Sequence, residues 1–579
     1  MTIFRSFVFL SVVLLPSILL AQDQGADAAA KEKLRRRNAL IEQVLADLSN
    51  MVLGENRAFI GVRIGSLLWD SDEKRARAMF QTAANELMNA QTFAETAQKK
   101  TGNQNDLATG GQTRTQILTA IANRDAELAL DLLVKTRPTL IARAMASQAA
   151  ADKKPATNGN YYYLAQNETN LEQSFIRLAA EQNPERMVKL LKDALSKDVT
   201  SETINLLKKL HSKDPDAAKE IGSRIVDKLI RSNFKNSGQP NYQVMQTVIN
   251  FLNDYTNSRN SNDKSFRFDE SQMANLSEKL ISYFLENGAG QAGYMAYSIV
   301  PIAEKLSPSS VEALKKIAKA SSGRGDWGGY DPDLQKVFSS NLTADQMLAE
   351  VKKFPPEGQL QIYQRAAAKF VEQGDMARAT AIINEDLPDE YRDDAIRNLN
   401  VQYANNLIGA GKFAEAERLI DEQPENNRTY ALINLATAIY QKDPIENKTY
   451  AMAVVGKVRA FLPEKPEDNT DMQGFMQIVN AYLTIDPSEA FRMYERLVPQ
   501  INELAEASVV LSPFQGNNNV RRGEFVLSEG NSFGYYGVDG SAFSTFANKD
   551  LDQTVKLVDM FSRREIRIAL KLQLAESLK

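Results

Sequence analysis

Cysteine is absent from all 579 residues. That excludes disulfide staples, thiolate nucleophiles and the thiol that a lipid-anchored lipoprotein needs. Histidine occurs once, as His211. With no second histidine and no cysteine, it cannot assemble a zinc site. Charge of one sign is not concentrated anywhere. The 69 basic and 73 acidic residues are interspersed and sum to a formal −4. No basic block marks a nucleic-acid binder, so no nucleic acid is expected as a partner. Beyond residue 21, no apolar run is long enough to span a bilayer. Such a chain must hold itself together by packing alone.

The first 21 residues read as a cleaved secretory signal peptide. Arg5 supplies a positive start, residues 7–20 are almost wholly apolar, and Ala21 precedes the polar Gln22-Asp23-Gln24. The alternative is an anchor that stays uncleaved. The expected place of work is outside the cytoplasm, periplasmic or extracellular, in a bacterium.

What the sequence has in abundance is helical periodicity, and residues 363–439 hold two copies of one unit. G-D-M-A-R-A-T-A-I-I at 374–383 returns 37 residues later as G-K-F-A-E-A-E-R-L-I at 411–420. P-D-E-Y-R-D-D-A-I-R-N-L at 388–399 returns 36 residues later as P-E-N-N-R-T-Y-A-L-I-N-L at 424–435. A period in this range signals a helical repeat array. Each unit reads as two helices. Ala395, Leu399, Tyr403 and Leu407 give the first its apolar spacing. Gly411 stops it. Phe413, Ala416 and Ile420 give the second a narrow stripe, as Met376, Ala379 and Ile383 do one repeat earlier. Ala379 and Ala416 are small where two helices of a hairpin cross, and Pro424 opens the next helix.

On these residues the chain resembles the tetratricopeptide-repeat family. Gly411, Phe413, Ala416 and Ile420, and equally Gly374, Met376, Ala379 and Ile383, fall where that family places a glycine, a large apolar or aromatic residue, an alanine and a large apolar residue. Tyr363 stands where the family prefers Trp, and Ala367 and Ala404 replace its first-helix glycine. The match covers about residues 363–440. The resemblance implies stacked helical hairpins and a role in protein–protein interaction.

The expected fold is therefore all-α: a right-handed α-solenoid of stacked antiparallel hairpins with irregular loop insertions. It divides into the signal at 1–21, N-terminal hairpins at 22–151, a middle helical region at 164–342, the repeats at 343–511, an insert at 512–547 and a helix pair at 548–579. Polar stretches at 99–113, 152–163, 256–265 and 321–333 read as loops. Asn183-Pro184-Glu185, Asp214-Pro215-Asp216 and Asp486-Pro487-Ser488-Glu489 read as capped helix starts. The insert at 512–547 is rich in Gly, Asn, Ser and aromatics and has no helical period. It is the expected site of first proteolysis unless its aromatics dock. The count is 24 to 26 helices and at most one short hairpin.

Chemical motifs fail on context. Gly530-Asn531-Ser532-Phe533-Gly534 spells a nucleophile elbow, but no helix follows it and His211 precedes it. Gly288-Ala289-Gly290-Gln291-Ala292-Gly293 spells a dinucleotide fingerprint, but it follows a helix instead of a strand. His211 ends a helical stripe and reads as packing. The acids Glu385, Asp386, Asp389, Glu390, Asp393 and Asp394 surround a first helical turn, where acids are expected, and read as a solvated face. Arg324-Gly325-Asp326 is a chance tripeptide. Tyr161-Tyr162-Tyr163, Trp327, Tyr330, Phe533, Tyr535 and Tyr536 read as loop pins, with stacking on sugars or a partner as the alternative.

No catalytic residue, metal ligand or cofactor-binding residue is assigned, and no cofactor is expected. The leading function is a non-enzymatic scaffold that binds protein or peptide on a long concave face. First-helix side chains such as Arg397, Asn398, Tyr403 and Asn434 belong to that face. The alternative is a carboxylate-dependent enzyme, for instance one that processes glycans, which needs only Asp and Glu.

Overall fold

Helix fills most of the described residues. This computed structural model describes residues 14–101, 105–149, 159–196, 199–236, 239–258, 266–287, 295–322, 332–515, 519–528, 538 and 540–579. Among them are 27 α-helices and two short two-stranded hairpins, Lys235–Asn236 with Gln239–Pro240 and Val520–Arg521 with Glu524–Phe525. The all-α expectation holds, with slightly more helices and one more hairpin than the sequence pattern counts. The chain forms two compact units: residues 117–340, and residues 1–116 joined to 341–579.

Four of the expected loops are partly helical. Helix Asn105–Ala122 takes in 105–113, helix Gly159–Gln182 takes in 159–163, and helix Tyr242–Ser258 runs past 256. Residues 332–333 open helix Pro332–Ser339, and 321–322 end helix Val311–Ser322. Polar composition misleads here because a helix needs apolar residues on only one face. Conversely, Asn183-Pro184-Glu185 makes a turn, and the helix begins only at Met187. Asp214 and Asp486 do cap, accepting from the N–H of Ala217 and Glu489.

In the 117–340 unit, a continuous core runs from Ile176 to Ala318. Phe251, Phe266 and Phe268 pack ring to ring in it. The Lys279 ammonium donates to the Ile230 and Ser232 carbonyls, closing the open C-terminal end of helix Pro215–Arg231. Burial holds that ammonium below its ordinary pKa.

The other unit contains the repeats. Helices Pro356–Glu372 and Met376–Asp386 pack together, as do Asp389–Gly409 and Phe413–Asp421, and Glu425–Lys442 and Lys448–Phe461. Each first helix also touches the first helix of the next pair. The turn inside the first two pairs is built identically. The N–H of Gly374 donates to the Val371 carbonyl and that of Asp375 to Phe370; Gly411 donates to Ile408 and Lys412 to Leu407. This Schellman closure needs a left-handed residue, and Gly374 and Gly411 sit at φ 81° and 72°. Ala379 and Ala416 are fully buried, as are Ala367 and Ala404 nearly so.

The N-terminal pair, helices Gly54–Leu68 and Glu73–Thr101, buries Ile60, Ile64, Leu67 and Leu68 with Ala76, Phe80, Ala83 and Leu87. Gly65 permits the close crossing, since a Cβ there would lie 2.5 Å from the Phe80 ring. This pair is fastened to the far end of the chain. Arg63 makes a two-point ion pair with Glu576, and Arg564 donates to the Asn50 carbonyl. Asn56, fully buried, donates to the Phe525 carbonyl at 2.7 Å and accepts from the Leu527 N–H at 2.8 Å. Glu524 accepts from the Leu53 N–H at 2.6 Å, capping helix Gly54–Leu68 from outside its own sequence, and Arg521 pairs with Glu55.

The described residues of the insert are thus not structureless. Val520, Phe525, Val526, Leu527 and Val538 are buried, and helix Gly540–Lys549 sinks Phe543 and Phe546 against Phe491, Tyr494 and Phe561. Its aromatics dock.

The clasp carries a pH dependence. Burial pushes the Glu524 carboxyl above the ordinary carboxylate range; the Leu53 N–H opposes this, while nearby Glu565 adds to it. The folded state therefore binds this proton more tightly than the unfolded chain does. The stabilisation is complete below the unfolded value, about 4.3 for a glutamate, and is lost as pH rises through the folded value. Glu524→Gln does not titrate. Its stability relative to wild type is expected to rise as pH goes from acid to neutral, read from paired denaturant titrations. A difference that stays flat or falls would show that Glu524 is not desolvated by the clasp.

Candidate functional site

Two motifs and several aromatics fall outside the described residues: Gly530 to Gly534, Gly288 to Gly293, Arg324-Gly325-Asp326, Trp327, Tyr330, Phe533, Tyr535 and Tyr536. Tyr161, Tyr162 and Tyr163 lie in a helix, Gly159–Gln182. His211 ends helix Thr203–His211, edge-on to Phe266 at 5.8 Å. Its Nδ1 is buried without a hydrogen-bond partner, an orphaned atom in an apolar setting. The acids at 385–394 stand in solvent; Asp389 pairs with Arg392 at 2.5 Å and Asp394 with Arg397. Among the described residues, no cluster of three or more acids and histidines is placed to hold a metal ion.

A concavity among the described residues lies elsewhere, after the repeats. A cleft of about 670 Å³ opens where the end of helix Lys448–Phe461, the loop at 462–467 and helices Asn469–Ile485 and Pro487–Leu511 meet. Phe475, Tyr482, Leu497 and Pro466 are buried in its floor. Arg459, Lys465, Arg492 and Arg496 bring positive charge to it; Glu464, Glu489 and Glu503 bring negative.

Local chemistry sorts these charges. Arg492 and Glu489 bind each other at 2.8 Å and at a second, shorter contact, which neutralises both. Arg459 lies over the Phe475 ring at 4.9 Å and donates to the Leu462 and Pro463 carbonyls, both at 3.0 Å. Its charge meets no carboxylate among the described residues. Nor does that of Lys465 or Arg496, and both are exposed. The cleft therefore holds three unmatched cations against two unmatched acids, Glu464 and Glu503. The Tyr482 hydroxyl faces this space with no hydrogen-bond partner among the described residues. Burial, then the Glu489 carboxylate, holds it above its ordinary pKa, so it remains a donor at neutral pH.

No protein-family model and no curated protein matches this chain.

The cleft continues as a row. Helix Pro487–Leu511 turns Ala490, Phe491, Tyr494, Val498, Ile501 and Ala505 inward, and fixes its flank through Asn502, which bonds Met560 and Ser562. On the side next to the cleft, Met493, Leu497, Gln500, Leu504 and Leu511 recur at i, i+4, i+7, i+11 and i+18, with Leu497 buried, Met493 and Gln500 half-buried, and Leu504 and Leu511 exposed. The last part of this stripe is bare. Leu504, Leu511 and, in the following 3-10 turn, Phe514 are exposed by 40%, 51% and 87%; Val510, also exposed, lies about 100° round the helix from Leu511. Exposed apolar residues are ordinary when scattered; a contiguous row is not. Pro499 lies within the helix and lacks the N–H that the Glu495 carbonyl would otherwise receive.

The first-helix residues named from sequence do not enter this site. Arg397 is paired with Asp394, Asn398 is exposed, and Tyr403 and Asn434 are half-buried on helices Asp389–Gly409 and Glu425–Lys442. The sequence pattern does not mark the cleft residues themselves. The only signal for them was a helix with more apolar positions than one buried face requires.

Proposed function

We propose that this chain is an exported binding protein, built as a tetratricopeptide-like array of helical hairpins, that seats another protein on the cleft and row at the end of the array. The observation that carries this reading is the exposed apolar row continuing a polar-rimmed cleft. An apolar row left in water on a well-packed helix is the usual mark of a partner surface. The signal-like residues 1–21 support export, and no helix among the described residues is long and apolar enough to cross a membrane. Glutamates in the cleft do not favour the carboxylate-enzyme alternative. Glu489 is committed to Arg492, and Glu464 and Glu503 stand in solvent, whereas a glycosidase acid needs a desolvated carboxyl.

The test is affinity capture from an envelope extract with the mature chain and with a Leu504→Glu/Leu511→Glu variant, read by mass spectrometry. Proteins retained by wild type and lost from the variant are expected. Identical retention by both chains, or glycan or peptide hydrolysis in an activity screen with no partner retained, would overturn the reading.

A further inference from the structure

We propose that the occupant of this surface is an amphipathic helix of a partner protein, acidic at one end and apolar along the rest of its docking face. The inference rests on the binding reading above and adds the chemistry of the ligand. Three features of the surface specify it.

Length comes first. From Met493 to Leu511 the helix rises about 27 Å at ~1.5 Å per residue. A helix of about 18 residues matches that span, and its ridges fit between those of a facing helix. An extended strand has no such complementarity, because the row offers side chains and no free sheet edge.

Polarity comes second. The surface is graded along its axis. The cleft end presents the unmatched cations Arg459, Lys465 and Arg496 and the Tyr482 hydroxyl, against the two acids Glu464 and Glu503. The far end presents Leu504, Leu511 and Phe514 with no cation in the row. Carboxylates of the ligand accept hydrogen bonds at the cleft end from guanidinium, ammonium and phenol donors above the aromatic floor. The charge is therefore confined to one terminus of the ligand.

Direction comes third. An isolated apolar patch fixes neither register nor polarity of a docked helix; a charged terminus fixes both.

The test uses the full mature chain and three synthetic helical peptides of about 18 residues, followed by fluorescence anisotropy. One carries leucines at helical spacing and two glutamates at one end. The second replaces those glutamates with lysines. The third replaces the leucines with serines. Wild type is expected to bind the acidic peptide at least about tenfold more tightly than the lysine peptide, and the serine peptide not at all. Lys465→Glu/Arg496→Glu is expected to invert the acidic-over-lysine order. All the substituted residues are exposed, and an unchanged circular-dichroism melt establishes that the variants fold. Equal affinity for the acidic and lysine peptides would overturn the charge assignment while leaving the binding surface standing. Equal affinity of the wild-type and Leu504→Glu/Leu511→Glu chains for the acidic peptide would overturn the surface as well. A concentration-dependent dimer of wild type, abolished by Leu511→Glu, would assign the row to a second copy of this chain and overturn the proposal.

Discussion

Ala416→Arg is expected to destabilise the repeat-containing unit by about 3–5 kcal/mol. Ala416 is fully buried where helix Phe413–Asp421 crosses its neighbours, and its methyl leaves no room for a longer side chain. Arginine there must either displace the packed helices or bury a guanidinium that has no carboxylate to meet. The first costs through strain, the second through desolvation. The control lies two residues away. Ala414 is exposed on the same helix, so Ala414→Arg should change stability by no more than about 0.5 kcal/mol. Helix propensity is common to both substitutions and cancels in the comparison. Chemical denaturation of the two variants reads the difference directly. Equal losses would mean that the buried face of the repeat has been misidentified.

The second large effect is expected at Asn56. Its side chain satisfies two backbone groups of the docked segment at once, the Phe525 carbonyl and the Leu527 N–H, with no water available to either. Asn56→Ala leaves both unpaired. Each orphaned buried group costs about 1–3 kcal/mol, so a loss of about 3 kcal/mol is expected. Asn56→Asp restores the acceptor for Leu527 but not the donor for Phe525 and adds a buried charge, so it does not rescue. A site-resolved reading separates this from general instability: the Leu527 amide should exchange with solvent far faster in Asn56→Ala, while amides in helix Asn469–Ile485 keep their protection. Unchanged exchange at Leu527 would show that the clasp does not depend on this residue.

These two sites also mark what the sequence could and could not reveal. The repeat hairpins are legible because their determinants are local. Gly374 and Gly411 close the first helices in a left-handed turn, and Ala379 and Ala416 sit a fixed distance beyond. The clasp is not local. Asn56 meets a segment 469 and 471 residues away, and nothing in the composition of either stretch announces the other. The 512–547 insert looks unstructured because glycine, asparagine and serine carry no period. The order of its described residues comes from partners such as Leu53 and Asn56, and from the Phe491, Tyr494, Phe543 and Phe546 cluster.

The cleft and its row are hidden from the sequence for a different reason. A chain-wide charge of −4 conceals three cations gathered in one cleft from two helices and a loop. Arg459, Lys465 and Arg496 are each unremarkable in sequence. They differ from Arg492 only in having no carboxylate beside them, which is a property of the fold. The row of Leu504 and Leu511 does have helical spacing. Distinguishing it from the core stripe requires knowing that Phe491, Tyr494, Val498 and Ile501 already fill the buried face.

Hydrogen–deuterium exchange of the mature chain, with and without a saturating excess of the acidic amphipathic peptide, tests the central claim most directly. Slowed exchange is expected in helix Pro487–Leu511, the adjoining turn Ser512–Gln515 and the loop at 462–467, with the rest of the chain unchanged. Protection confined to the first helices of the repeats, Asp389–Gly409 and Glu425–Lys442, or no protection anywhere, would contradict it.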